Sequence, residues 1–169
     1  MTTQELRKMP ERTQCKPSRK ATARVKNPLP VPTICPYCNG PVALVSNAQI
    51  YGHEYGKWPW AYRCTQCDAY VGLHSHTTIP LGTLADLPTR DARRRAKAMF
   101  NNIWTRGDMT RSDAYVWLAK ELGIEVGECH IGWFDVTQCL RVIEVCYGMI
   151  VARGLKLRED TKLDGEATR

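Results

Sequence analysis

Cys35-Pro36-Tyr37-Cys38 and Cys64-Thr65-Gln66-Cys67 are two C-x2-C pairs separated by residues 39–63, and the fold follows from how they are read. Each pair can turn tightly enough to bring two thiolates to one ion. Four sulfurs at about 2.3 Å then complete the tetrahedron that Zn2+ takes in closed structural sites. Such a site holds structure and leaves no open position for chemistry. Gly40-Pro41 turns the chain back into Val42-Ala43-Leu44-Val45, Tyr62-Arg63 leads into the second pair, and Ala69-Tyr70-Val71 leaves it. Two metal knuckles at the ends of β-strands are the layout of a zinc ribbon, with one structural Zn2+ on Cys35, Cys38, Cys64 and Cys67.

Two other readings of these cysteines are weaker. Cys-Pro-Tyr-Cys is also the dithiol of glutaredoxin-like enzymes, but there the first cysteine opens a helix whose N-terminal field lowers its pKa. Pro41 would sit inside that helix, removing a hydrogen bond and clashing with the preceding turn. Two disulfides would suit a secreted protein, and no apolar signal segment precedes the cysteines.

Outward from the clip, charge divides the chain. Net charge over the 169 residues is +7, and residues 1–33 hold most of it, with eight Lys or Arg against Glu5 and Glu11. This stretch also carries five of the ten prolines and almost no large apolar residue. It cannot bury enough to offset the entropy of ordering, so residues 1–33 are expected to be a disordered basic tail, dispensable for folding. A mobile basic arm can follow a phosphate backbone, or it can be a leader that only keeps the chain soluble. No apolar run approaches the roughly twenty residues that span a bilayer. Reducing-compartment chemistry and the lack of a targeting segment make the cytoplasm the expected location.

Residues 34–88 are expected to form the zinc-ribbon module with an aromatic insertion. Tyr51 to Tyr62 holds five of the fourteen aromatic residues, interrupted by Gly52, Gly56 and Pro59, which argues against a continuous helix. Trp58 and Trp60 beside Lys57 and Arg63 would suit stacking on unpaired bases. The favoured reading is that most of these rings cover the hairpin or pack on the C-terminal helices. His74 and His76 read as surface histidines following a third strand, since four cysteines already complete the site. His53-Glu54 lacks the second histidine of a metalloprotease helix.

The period then changes. Ala92, Ala96, Met99, Phe100, Ile103 and Trp104 recur at helical spacing between Pro88 and Gly107. The outer side of this helix carries Arg90, Arg93, Arg94, Arg95 and Lys97 against Asp91, a candidate nucleic-acid surface whose alternative is a solvated face or contacts to nearby loops. A second helix starts at Thr110, with Asp113 in a capping-box-like position, and stops at Gly123. A third follows Asp135, with Gln138 in the reciprocal capping position and Cys139, Ile143, Cys146 and Ile150 on its core face. Cys139 and Cys146 stand about 10 Å apart along the axis, too far for one ion, and read as small buried hydrophobes. Cys129-His130 is a weak metal candidate without further ligands. The whole is an α+β chain: ribbon, a three-helix region over 89–155 packed on it, and a disordered tail over 156–169.

Several segments taken together carry a family likeness. Cys35-Pro36-Tyr37-Cys38, Ala48-Gln49-Ile50-Tyr51-Gly52, Cys64-x2-Cys67-Asp68-Ala69-Tyr70-Val71-Gly72, Ile79-Pro80-Leu81-Gly82-Thr83-Leu84-Ala85 and Glu128-Cys129-His130-Ile131-Gly132-Trp133-Phe134-Asp135 resemble a family of small phage and bacterial proteins described only as zinc-finger-containing. The resemblance runs from about Ile34 to Val145. It implies zinc on Cys35, Cys38, Cys64 and Cys67 and a phage or prophage setting, and it supplies no reaction.

Three function classes remain. Ribbon, basic arm, Arg-rich helix and aromatic flap together favour a nucleic-acid-binding module, for DNA or RNA. A protein-interaction adaptor docking on host replication or transcription machinery is the alternative, because zinc ribbons serve both. A zinc-containing nuclease of the His-Asn-His type is the third. It needs a general-base histidine next to an acidic residue and a metal-binding histidine downstream, and His53-Glu54 is a poor substitute, so the chain is expected not to be an enzyme.

Overall fold

In the computed structural model, which describes residues 15–157, strands Val42–Ser46 (β1), Trp60–Cys64 (β2) and Tyr70–Gly72 (β3) form an antiparallel sheet in the order β1-β2-β3. Val42 pairs with Cys64 and Ser46 with Trp60, while Ala61 pairs with Gly72 and Arg63 with Tyr70. Because Val42 follows the first cysteine pair and Cys64 opens the second, this register sets both knuckles at one end of the sheet. Val, Leu, Tyr and Trp suit a pleated, half-buried surface, and Tyr62, Cys64, Val71 and Leu73 form the small ribbon core with Cys35, Ala69 and Leu84.

The chain between β1 and β2 is a flap tied at its base. A single helical turn, Ala48–Tyr51 (α2), ends at Gly52, whose φ of 79° is left-handed and free of penalty only for glycine. The buried Asn47 closes the flap: its side chain donates to the Tyr55 carbonyl at 2.8 Å and accepts from the Tyr55 amide at 3.0 Å.

Three long helices follow, Leu87–Thr105 (α3), Arg111–Leu122 (α4) and Val136–Ala152 (α5), with single 3-10 turns at Val126–Glu128 and Ile131–Trp133. Their starts are capped by local chemistry. The Thr89 amide donates to the Asp86 side chain at 3.0 Å, and Thr110 accepts from the Asp113 amide at 3.2 Å. Asp135 and Gln138 form the reciprocal box, at 2.7 and 3.0 Å. Gly123, at φ 68°, ends α4. α5 lies mainly along α3, and α4 contacts both. The shared core holds Ala96, Met99, Phe100, Ile103, Leu118, Cys139, Val142, Cys146 and Ile150. The buried line of α5 runs through Val142, with Ile143 at its edge. The architecture is α+β, a small sheet bearing a cysteine cluster followed by helices.

Two glycines let ribbon and helices meet. A Cβ on Gly82 would fall on the Gly132 carbonyl, and the Thr83 amide donates to that same oxygen at 3.1 Å. The knuckle also reaches the helices: Tyr37 donates its hydroxyl toward the Leu84 carbonyl at 3.2 Å and lies 3.1 Å from the Thr89 hydroxyl.

Disorder was expected through residue 33, and the structure differs over residues 15–33. This stretch holds a single helical turn, Arg19–Thr22 (α1), and three anchors to the rest of the chain, one of them the Val42 amide donating to the Thr33 carbonyl at 3.1 Å. The Ser18 amide donates to the His76 carbonyl at 2.8 Å, and the Asn27 side chain donates to the Gly127 carbonyl at 3.2 Å. Backbone and amide hydrogen bonds here supply what apolar burial does not. At the other end, Leu155 and Leu157 pack on the helical core, so of the two described residues of the expected tail over 156–169, Leu157 lies against the core and Lys156 is exposed. Residues 1–14 and 158–169 fall outside the described residues.

Candidate metal centre and basic surface

The first knuckle is a tight loop in which the Cys35 amide donates to the Gly40 carbonyl and the Asn39 amide to the Cys35 carbonyl, each at 2.9 Å. Asn39 takes a φ of 58°, a left-handed position that asparagine tolerates better than most residues. In the second knuckle the Gln66 amide donates to the Cys64 sulfur at 3.3 Å, and the Thr65 amide ties it to the Pro41 carbonyl at 3.0 Å. The two loops bring Cys35 and Cys67 sulfurs to 3.5 Å and Cys38 and Cys64 sulfurs to 3.4 Å, with all four ligand atoms within 4.8 Å of one another. Metal–sulfur bonds of about 2.3 Å correspond to sulfur–sulfur edges of about 3.8 Å, so the four sulfurs are spaced within reach of a four-thiolate tetrahedron, with two edges slightly short of it. Cys35 and Cys64 are buried, Cys38 and Cys67 half-buried, and none is in a disulfide.

The electrostatics of the cluster point the same way. Burial is the largest single influence on Cys64 and raises its pKa, but the Gln66 and Cys67 amides and the Cys38 and Cys67 thiols together outweigh it and bring it down to about 6. Cys67 moves oppositely. The Ala69 amide lowers it, yet burial and the sulfurs of Cys35, Cys38 and Cys64 push it up to about 12. One thiolate forms easily here, and each further negative charge resists. A divalent cation resolves that conflict, because it pairs with the charge that the amides alone do not balance. Among the described residues this is the one cluster of three or more His, Cys, Asp or Glu placed to hold a metal.

Other candidates are placed elsewhere. Cys129, Cys139 and Cys146 are buried in the helical core, and burial pushes their thiols up to about 11, 11 and 12. They behave as small hydrophobes. His130 stacks beside Trp133 with ring centroids 4.2 Å apart.

The five cations of α3 divide into two groups. Arg90 donates to the Asp68 carbonyl and carboxylate, each at 2.9 Å, and to the Ala85 carbonyl at 2.7 Å, with its guanidinium 4.2 Å over the Tyr70 ring. Arg93 donates to the Phe134 carbonyl at 2.8 Å, the Thr83 carbonyl at 2.9 Å and the Thr83 hydroxyl. Burial lowers the Arg93 pKa, so its carbonyl partners compensate a real desolvation. These two arginines join the ribbon to the helices. Arg94, Arg95 and Lys97 remain exposed, Arg94 pairing with Asp91 one turn back at 2.7 Å.

The aromatic flap divides similarly. Trp58 and Trp60 are half-buried and pack against the ribbon core, which agrees with a covering role. Trp58 donates its indole N–H to the Thr77 carbonyl at 2.9 Å and lies against His76. Arg63 donates to the Gln49 carbonyl at 3.0 Å, while Lys57 is exposed. The open rings are Tyr51 and Tyr55, which sequence reasoning did not separate from the tryptophans.

A three-stranded sheet with a four-sulfur cluster at one end, joined to a helical unit, defines a zinc-ribbon-like metal-binding module. The chain belongs to the family described as a zinc-finger-containing domain, which matches residues 31–148. No curated protein and no solved structure matches it. No helix among the described residues is long and apolar enough to cross a membrane.

Proposed function

We propose that the protein is a nucleic-acid-binding module whose fold is held by one zinc ion, with a phage or prophage setting taken from the family resemblance and the cytoplasm of a bacterial host as its place. One observation carries this reading. Residues 15–33 bear five cations, Lys16, Arg19, Lys20, Arg24 and Lys26, with no acidic residue, and they are anchored on the turn after the ribbon and on the Val126–Glu128 turn instead of trailing free. Exposed Arg94, Arg95 and Lys97 add to the positive surface. Lys and Arg contacts to phosphates release counterions, so binding of this kind is electrostatic and largely indifferent to sequence. Fluorescence anisotropy with single- and double-stranded DNA and RNA at low salt tests it. Affinity should fall by a slope of about 0.7–0.9 per phosphate contact on a log–log salt plot. Absence of binding to all four would overturn the reading.

A specific observation supports a second reading, an adaptor that docks on a host protein. Val136, Leu140, Tyr147 and Val151 are exposed at helical spacing along one side of α5, an apolar stripe that a solvated helix does not require. Co-purification with and without nuclease treatment distinguishes the two, since a stoichiometric protein that survives the nuclease favours the adaptor. Neither reading includes a reaction. A closed four-sulfur site offers no open coordination position, and His53-Glu54 sits exposed on the flap.

A further inference from the structure

We propose that the cleft between the basic arm and the His74–Thr77 turn is an anion site for a phosphate group, which in the nucleic-acid reading on which this rests is a backbone phosphate. The cleft encloses about 490 Å³ and is lined by Arg24, Lys26, His74, Ser75, His76 and Thr77 among others, with no carboxylate in its wall. Two permanent cations from the arm thus face two imidazoles and a hydroxyl from the ribbon. Each imidazole keeps an N–H donor whatever its protonation state.

The backbone of the turn favours an anion as well. Carbonyl oxygens would repel one, and those of His74, His76, Thr77 and Thr78 are already taken. The His74 carbonyl accepts from the Thr77 amide at 3.0 Å and the Thr77 hydroxyl at 2.9 Å, and the His76 carbonyl accepts from Ser18 at 2.8 Å. The Thr77 and Thr78 carbonyls accept from Trp58 and Tyr62, each at 2.9 Å. Among the described residues no acceptor pairs with the Ser75 or His76 amide. The turn has four of its carbonyls engaged and two backbone donors to spare.

His76 holds a φ of 57°, a left-handed conformation that a non-glycine residue adopts at a cost. Three contacts maintain it: the Trp58 ring, 5.1 Å away between centroids, the Trp58 bond to the next carbonyl, and the Ser18 amide on its own. Trp58 thereby acts as a positioning residue for the turn. The arm is fixed on the other side through Ser18 and Asn27, so less ordering entropy is lost when an anion enters than for a free basic tail. Exposed Arg94, Arg95 and Lys97 offer charge without such convergence.

The test compares two double variants with the same change in charge on the same arm. Arg24→Glu/Lys26→Glu alters the cleft, and Lys16→Glu/Lys20→Glu alters exposed positions outside its lining. All four side chains are exposed, so both variants should fold, which circular dichroism and zinc content verify. With a fluorescein-labelled oligothymidylate at low salt, the cleft variant should lose about tenfold or more in affinity and the control only a few-fold. Titration of the wild type with inorganic phosphate should shift the imidazole Hε1 resonances of His74 and His76 and leave those of His53 and His130 in place. Equal losses in both variants, with no histidine shift, would mean a diffuse field and overturn the cleft while leaving the nucleic-acid reading intact. Phosphate shifts at His74 and His76 without any oligonucleotide binding would support the anion site and overturn that reading. Neither binding nor shifts would end both.

Discussion

Individual side chains in this protein divide sharply by what they touch. Cys64 is the centre of the clip: it begins the second knuckle, pairs in the sheet with Val42, and lies 3.4 Å from the Cys38 sulfur. Cys64→Ser should therefore abolish metal binding and melt the ribbon, because ligand binding energy is folding energy in a site this small. Metal analysis should find about one zinc per wild-type chain and none in the variant. Wild-type protein that is folded and metal-free would sink the assignment. Arg93 and Arg95, two residues apart, make the same point about charge. Arg93 satisfies Thr83 and Phe134 carbonyls across the joint, and truncation leaves them without a donor. Arg93→Ala should cost about 2–3 kcal/mol in urea unfolding, and Arg95→Ala, on the exposed side, should stay within about 0.5 kcal/mol. Equal effects would mean that Arg93 is not a clip.

Among the elements, the loop before α3 matters more than its lack of regular structure suggests. Gly82 touches the Gly132 carbonyl where the ribbon meets the second 3-10 turn. A methyl group there cannot be accommodated without parting the two backbones, so Gly82→Ala should destabilise by about 1–3 kcal/mol. At Gly132 the nearest atom to an added Cβ is the Leu81 carbonyl oxygen at 3.4 Å, an ordinary contact, and Gly132→Ala should cost distinctly less. Thermal melts of the pair check this, and the reverse order would contradict the packing. The helices themselves were legible beforehand. Thr110 with Asp113, Asp135 with Gln138 and terminal Gly123 are signals written within one turn of chain. Asp86 caps α3 equally locally and could have been read in the same way.

At the scale of the whole molecule there are two buried clusters, one around the cysteine clip and one among α3, α4 and α5. Stripping the metal should open the first and spare the second. Thiol labelling of native protein near neutral pH should modify Cys15, the cysteine outside both clusters. A chelator should then expose Cys35, Cys38, Cys64 and Cys67. Cys129, Cys139 and Cys146, whose thiols burial holds near 11 to 12, should label only in denaturant. Simultaneous labelling of all seven after chelation would show that ribbon and helices unfold as one unit.

The metal clip, the antiparallel ribbon and the three long helices were determined by the sequence itself, since each depends on spacing or capping within a few residues. Tertiary structure alone decided which members of each group were already engaged. Arg90 and Arg93 look like Arg94 and Arg95 in the chain, but only the first two face carbonyls brought in from Asp68, Ala85, Thr83 and Phe134. Trp58 covers the ribbon because Thr77 and His76 fold back beneath it, and residues 15–33 are ordered because His76 and Gly127 present acceptors to them. Those partners lie up to a hundred residues away in sequence. Composition and periodicity report how a segment meets water and its immediate neighbours. Which distant carbonyl satisfies a given donor is settled only when the segments pack.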